Sequence, residues 1–359
     1  MPALLGFQEF SKQFYAGEFY PRWVFDFYDG HGAPMFYYYT PIPFYLETFL
    51  NSLTFKTIPP RHLLSLAALF MFFSAGLSCY IWLKSYFNQH RAFIGALVYL
   101  CMPYHLMIDL YLRGTLTELL AYTWMPLILL LIRKCHTNGA AWILLAICYA
   151  LLIGSTVPLA ILLSPLFLLY GAFEIHKAEQ NKFIFVLRFT GGMICGLGLA
   201  SVYILNAYFM TDYFNSEAFW NGFYDVKNWF LCLKCSETLN PEMLQKLSAL
   251  VFLQSAFILI LYCSKHSIDK QAQDKIFWLL MAFGAIFMMT PLSFLFWEHL
   301  PLLNKTQFPW RLITVLDLIC AYLVALNFPL LHNKNNRLNN VIILGFLAIF
   351  ALINAYNIY

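Results

Sequence analysis

Long apolar runs separated by short polar connections recur from residue 62 almost to the end of the chain. A membrane-spanning helix needs about 20 predominantly apolar residues. By that measure the pattern predicts about ten spans, at 62–84, 91–110, 116–132, 140–154, 157–173, 183–209, 246–263, 275–296, 310–331 and 340–357. Runs 140–154 and 157–173 are short and joined by Gly154-Ser155-Thr156-Val157-Pro158, so they read as two tight spans or one long bent one. Ahead of the first run, Pro41-Ile42-Pro43 opens a stretch, 41–55, too short to cross; it reads as a helix lying along the outer surface. The pattern predicts an all-α polytopic membrane protein in two parts. Residues 1–61 form an external segment carrying the surface helix, and 62–357 form a helical bundle with an external loop at 210–245.

The basic residues orient this arrangement. Lys84 and Arg91, Arg133 and Lys134, Lys177 and Lys182, then Lys265, Lys270 and Lys275, and finally Lys334 and Arg337 fall on one side of a ten-span bundle. Short loops rich in Lys and Arg stay in the cytoplasm. The opposite face therefore receives 1–61, the turn 111–115, the loop 210–245 and the connection 297–309. Residues 1–35 contain neither a signal peptide nor an apolar span, yet this count places them outside. Either a short tail is exported unaided or, the favoured expectation, an upstream transmembrane helix is missing, with Met1 an internal or truncated start.

Composition agrees with a membrane protein. Hydrophobic residues make up 61% of the chain and charged residues 11%, against roughly 45–50% and about 25% in soluble domains. The net charge of +4 is small and spread along the loops, so no nucleic-acid partner is implied. No Walker loop or dinucleotide glycine fingerprint is present, which leaves ATP- or NAD-driven chemistry without support. Most of the nine cysteines lie in the apolar runs, where they act as small apolar residues. Cys232-Leu-Lys-Cys235 is one pair only, too few for a zinc site, though it could close a local disulfide in an oxidising outer compartment.

Candidate chemistry gathers on the external face. Gln307-Phe-Pro-Trp310-Arg311 crowds an amide, a proline, a tryptophan and an arginine between two apolar runs, and Tyr20-Pro-Arg22-Trp23 repeats that chemistry near the N-terminus. A guanidinium grips phosphate bidentately and tryptophan anchors at the interface, which suits a lipid headgroup. The plainer reading is a helix start with interfacial anchors. Asp26, Asp29 and His31 lie beside Gly30 and Gly32. Carboxylates there could act as a general base or hold a divalent cation, and they could equally form an ordinary polar turn. Tyr38, within the run Tyr37-Tyr38-Tyr39-Thr40-Pro41, belongs either to an aromatic ledge for sugar rings or to an interfacial belt. Asp109 and Arg113 are spaced to pair on one helical face, Gly114 breaks that helix, and Thr115-Leu-Thr-Glu118 reads as a capping box. Asp317, about two turns into its span, is a functional candidate by depth alone, or a neutral hydrogen-bonded carboxyl.

The segments GEFYPRW, GHGAPMFYYYTPIPFYL, DLYLRGTLTE, WMPLILL and QFPWR, in this order, resemble a bacterial and archaeal membrane family labelled 6-pyruvoyl-tetrahydropterin synthase-related. That family is similar to the GT-C superfamily of integral membrane glycosyltransferases and, more distantly, to YfhO-like proteins. The resemblance runs from about Gly17 to the span after Arg311. It implies a bundle in the bacterial inner membrane with an active site on the periplasmic or external face. There a sugar would pass from a polyprenyl-phosphate carrier to a cell-envelope glycan or glycolipid. It implies Asp26 and Asp29 as catalytic acids, with Arg22, His31, Tyr38, Asp109, Arg113, Glu118, Gln307, Trp310 and Arg311 around the lipid phosphate. In that family an acidic residue follows a first span directly, and both are absent from this sequence. The alternatives are a non-enzymatic transporter or assembly partner for lipid-linked glycans, or an inactive truncated homologue. A transporter should carry internal repeats and polar mid-depth breaks, whereas the polar residues here cluster at the outer face.

Overall fold

The computed structural model describes residues 2–178, 181–213, 221–232, 240–264, 272–300, 302–331 and 337–358. Its helices are α1 (Pro2–Tyr15), α2 (Met35–Tyr38), α3 (Ile42–Leu53), α4 (Pro60–Lys84), α5 (Gln89–Cys101), α6 (Leu116–Lys134), α7 (Ala141–Ser155), α8 (Val157–Lys177), α9 (Lys182–Phe209), α10 (Pro241–Cys263), α11 (Ala272–Met288), α12 (Phe294–His299), α13 (Ile313–Leu331) and α14 (Arg337–Ile358). Among the described residues the only β-type pairing is an isolated bridge between Val24 and Ala33.

Among the described residues seven helices are long and apolar enough to cross a membrane, and a bent pair, counted as one span, makes an eighth. This is the architecture of a multi-pass helical membrane protein. Two expected spans differ from the rest: Ala141–Ser155 and the apolar part of the last helix, Ile343–Ala355, are shorter than a full crossing. The expected run 275–296 is not continuous either. Its axis turns by 86° between Met288 and Pro291. Pro291 has no backbone N–H and drives Thr290 into extended backbone, φ −98° and ψ 157°. The joint at Thr156 resolves into two helices for a similar reason, since Pro158 sits in the first turn of α8 and Thr156 is extended.

Helix starts follow the capping residues. Asn88 Oδ1 accepts from the Arg91 N–H at 3.1 Å to open α5, and Asn240 Oδ1 accepts from Met243 N–H at 3.2 Å ahead of Pro241. The central post is α13: 94% of its apolar stretch is buried, against α5, α10 and α11. Peripheral α4 and α9 leave most of their surface facing outward, as lipid-facing helices do.

The surface helix predicted at 41–55 is α3, but it does not lie alone on the bilayer. Ile42, Leu46 and Leu50 pack on Ala67, Met71, Leu119 and Leu120 of the bundle. Its opposite side carries Phe44 against Phe7 and Phe10 of α1. Helix α1 is an element the apolar-run pattern did not predict, because after Leu5 its apolar residues form only a stripe, Phe7, Phe10 and Phe14, between polar ones. Ser11 and Thr48 hydroxyls, 2.8 Å apart, tie the two helices. Beside them Glu47 is buried, with no partner for either oxygen among the described residues.

Candidate functional site

The best-built polar cluster lies where the chain turns between α5 and α6. After α5, residues Tyr104–Arg113 wind as a wider π-helix that ends at Gly114, φ +58° and ψ 36°. π-Helical turns concentrate at functional sites, and here the wider winding carries Asp109 and Arg113 to one spot, where Glu118 from the first turn of α6 joins them. The left-handed backbone at Gly114 lets Thr115 N–H reach back to the Asp109 carbonyl at 3.0 Å.

Arg113 is the hub. Its Nη1 donates to Asp109 Oδ1 at 2.7 Å and to Glu118 Oε2 at 2.8 Å, and Nη2 donates to Glu118 Oε1 at 2.9 Å. The two bonds to Glu118 form the parallel fork that planar guanidinium favours. From the far end of the chain, Arg311 Nε donates to the same Glu118 Oε1 at 2.9 Å, while its Nη1 donates to the Thr306 carbonyl. Trp310 lies under Arg113, ring centre 4.6 Å from the guanidinium carbon, and Phe308 lies 4.9 Å from that of Arg311. Asp109, Glu118 and Arg311 are buried, at 0%, 2% and 8% exposure. Charges so removed from water persist only when paired and hydrogen-bonded. Two formal positive and two formal negative charges satisfy that here. Among the described residues Asp109 Oδ2 and the Trp310 indole N–H have no partners.

This arrangement corrects the capping-box reading of Glu118. Thr115 makes no side-chain cap bond, and the Glu118 carboxylate holds two arginines. The Asp109–Arg113 pair forms as its spacing predicts, although on a π-helix. Gln307 takes φ +66° and ψ −51°. A non-glycine residue held there is strained by roughly 1–3 kcal/mol, so the turn that presents Trp310 and Arg311 is specified by its surroundings.

The N-terminal candidates form a second group. Backbone pairing of Val24 with Ala33 closes the loop that carries them. Gly32, at φ +78°, must be glycine, since a Cβ would come within 2.0 Å of the Trp23 indole nitrogen. Asp29 sits in the turn at φ +55°, and His31 N–H donates to the Tyr28 carbonyl. Asp26 is exposed and lies 3.4 Å from Lys12, which also reaches Glu9 at 3.6 Å. Arg22 stacks on Tyr20 and Tyr37, at 4.9 and 5.8 Å, with no carboxylate in ion-pair range among the described residues. Tyr38 fastens this layer to α9: its hydroxyl donates to the Met210 carbonyl at 2.7 Å, and Tyr203 donates to the Tyr38 carbonyl at 2.6 Å.

The structure therefore joins Asp109, Arg113, Glu118, Trp310 and Arg311. No hydrogen bond or ion pair links Asp26, Asp29 or His31 to them among the described residues. Deeper in the bundle, Asp317 Oδ1 accepts from Gln254 Nε2 at 2.7 Å and Oδ2 from Tyr122 hydroxyl at 3.2 Å, all three buried. The His105 ring stacks on Tyr122 at 3.9 Å. Gln254, Tyr122, His105 and Glu47 carry no sequence signal of their own, because each stands singly in an apolar or aromatic run. Burial pushes the Glu47 carboxyl up to about 8. Among the described residues, no group of three His, Cys, Asp or Glu side chains is arranged to hold a metal. Of the Cys232–Cys235 pair, Cys235 lies outside the described residues, as do parts of the loop 210–245.

No protein-family model, curated protein or solved structure matches this chain.

Proposed function

We propose that this protein is a GT-C-type glycosyltransferase of the bacterial inner membrane, with about ten spanning segments, acting at its external face on a sugar linked to polyprenyl phosphate. One observation carries the reading: two arginines from distant parts of the sequence converge on a single buried carboxylate, beside a tryptophan, at the end of the spans that the Lys and Arg distribution assigns to the outside. In the transfer, a carboxylate takes the proton of the acceptor hydroxyl and the acceptor oxygen bonds to the anomeric carbon. As that bond forms, the carbon–oxygen bond to the carrier phosphate breaks, and its electron pair leaves with the phosphate. Asp26 and Asp29 are the candidate bases. In this reading Arg113 or Arg311 donates N–H groups to the departing phosphate, where negative charge accumulates.

A second reading, a non-enzymatic partner in lipid-linked glycan handling, has its own support. Both guanidiniums are already occupied by Glu118 and Asp109, and the two candidate bases are not bonded to that cluster. The deciding experiment is transfer from a radiolabelled polyprenyl-phosphate hexose by purified protein. Asp26→Asn with Asp29→Asn should lower turnover by about 10²–10⁴-fold if either is the base. An undiminished rate in the double variant removes both acids from catalysis, and absence of transfer by the wild-type protein across donor sugars favours the non-enzymatic partner.

A further inference from the structure

A feature that shares no residue with the polar cluster has no part in the proposed glycosyl transfer. Between α4 and α5 runs an open groove of about 650 Å³, lined by Phe73, Gly76, Leu77, Tyr80, Phe93 and Leu97, with Gln89 and His90 at one end. Its walls are exposed: Phe73 by 64%, Leu77 by 59% and Phe93 by 55%. Gly76 sets the floor, where Leu100 packs so closely that a Cβ would meet it at 2.6 Å.

Length and charge say what fits there. At about 1.5 Å rise per residue, Phe73 lies roughly 16 Å along α4 from Lys84. One leaflet of a bilayer core of about 30 Å is about 15 Å deep. The groove thus begins at the membrane edge and stops near mid-bilayer, the reach of one acyl chain; a packed helix would need a face through both leaflets. At the edge stand Lys84, whose Nζ lies 5.8 Å from the Tyr80 ring, and the donors of Gln89 and His90. Arg91 adds a second positive charge, its guanidinium anchored on the Ala325 and Leu326 carbonyls at 2.8 and 2.7 Å rather than on an acid. No acidic residue occurs between Glu47 and Asp109, and among the described residues none pairs with Lys84 or Arg91. An unneutralised basic edge on the face that the Lys and Arg distribution makes cytoplasmic attracts anionic headgroups.

We propose that this groove seats one acyl chain of an anionic phospholipid from the cytoplasmic leaflet, with its headgroup held by Lys84 and His90. The inference rests on the membrane topology and not on glycosyl transfer. It is tested by native mass spectrometry of the purified full chain, equilibrated with chain-matched phosphatidylglycerol and phosphatidylcholine. The wild-type protein should retain phosphatidylglycerol in preference. Lys84→Gln should reduce that preference by about fivefold, the equivalent of the ~1 kcal/mol a basic residue contributes near an anionic leaflet. Leu77→Trp with Leu97→Trp, at lipid-facing positions that leave the core intact, should fill the groove and abolish retention of the bound lipid. Equal retention of the two phospholipids by wild-type protein would overturn the headgroup assignment. Undiminished retention in the tryptophan variant would place the lipid elsewhere, and displacement by equimolar polyprenyl phosphate would make the groove a carrier site instead.

Discussion

Glu118 and Arg311, 193 positions apart in the chain, meet at 2.9 Å, and the same carboxylate oxygen also accepts from Arg113 at 2.9 Å. One buried acid therefore joins the turn between α5 and α6 to the entry of the central helix α13. This end of the bundle is organised around that contact.

Glu118→Gln should destabilise the protein strongly. Removing one partner of a buried ion pair leaves charge uncompensated and typically costs about 3–5 kcal/mol, and here two guanidiniums would lose the negative charge they share. Thermal unfolding in detergent should show a clear drop in midpoint. Arg311→Lys should cost less than Arg311→Ala in stability, because the charge survives, yet lose most transfer activity, because an ammonium cannot reproduce the planar grip. An Arg311→Lys protein with wild-type transfer would assign Arg311 to structure alone.

Gly114→Ala isolates a backbone effect. A Cβ at Gly114 meets nothing within 4 Å, so any loss comes from forcing a side chain into left-handed backbone at φ +58°. The expected cost is about 1–2 kcal/mol. Gly222, also at positive φ with open space around it, should pay a similar local cost when changed to alanine without disturbing the Glu118 cluster. A Gly114→Ala protein as stable as wild type would show that the turn can be rebuilt in another conformation.

Glu47 should make stability depend on pH. Its folded pKa, about 8, lies above the ordinary 4.5 because burial disfavours the charged form. Below about 4.5 both folded and unfolded states hold the proton and Glu47 costs nothing. As pH rises the unfolded state ionises first, so stability falls progressively until the folded carboxyl also ionises near 8. Unfolding midpoints of wild type and Glu47→Gln, measured from pH 5 to 9, should diverge with the variant increasingly the more stable. Parallel curves would mean that Glu47 reaches water or a partner.

Topology can be read directly. In a cysteine-free background, Asn221→Cys should react with an impermeant thiol reagent from outside, and Asn138→Cys only after the membrane is opened. Both positions are exposed. The opposite pattern would turn the bundle over and place the Glu118 cluster in the cytoplasm.

Much of the architecture was legible in the sequence because the bilayer imposes it: a backbone crossing hydrocarbon must satisfy its own hydrogen bonds, so apolar length alone marks a helix. The runs at 62–84, 116–132 and 183–209 are helices over almost those residues. Local rules also located the Asp109–Arg113 pair, the helix break at Gly114 and the surface helix at 41–55, since each depends on neighbours within a turn or two. Where a local rule competed with a distant partner it failed. The capping-box pattern at Thr115–Glu118 lost to Arg113 and Arg311, because a buried guanidinium without a carboxylate is far costlier than an uncapped helix N-terminus. Only the tertiary structure decided that Arg311 meets Glu118, that Asp317 meets Gln254 and Tyr122, and that α1 covers α3. These contacts join elements far apart in the chain, and no spacing along the sequence encodes a meeting that helix packing alone brings about.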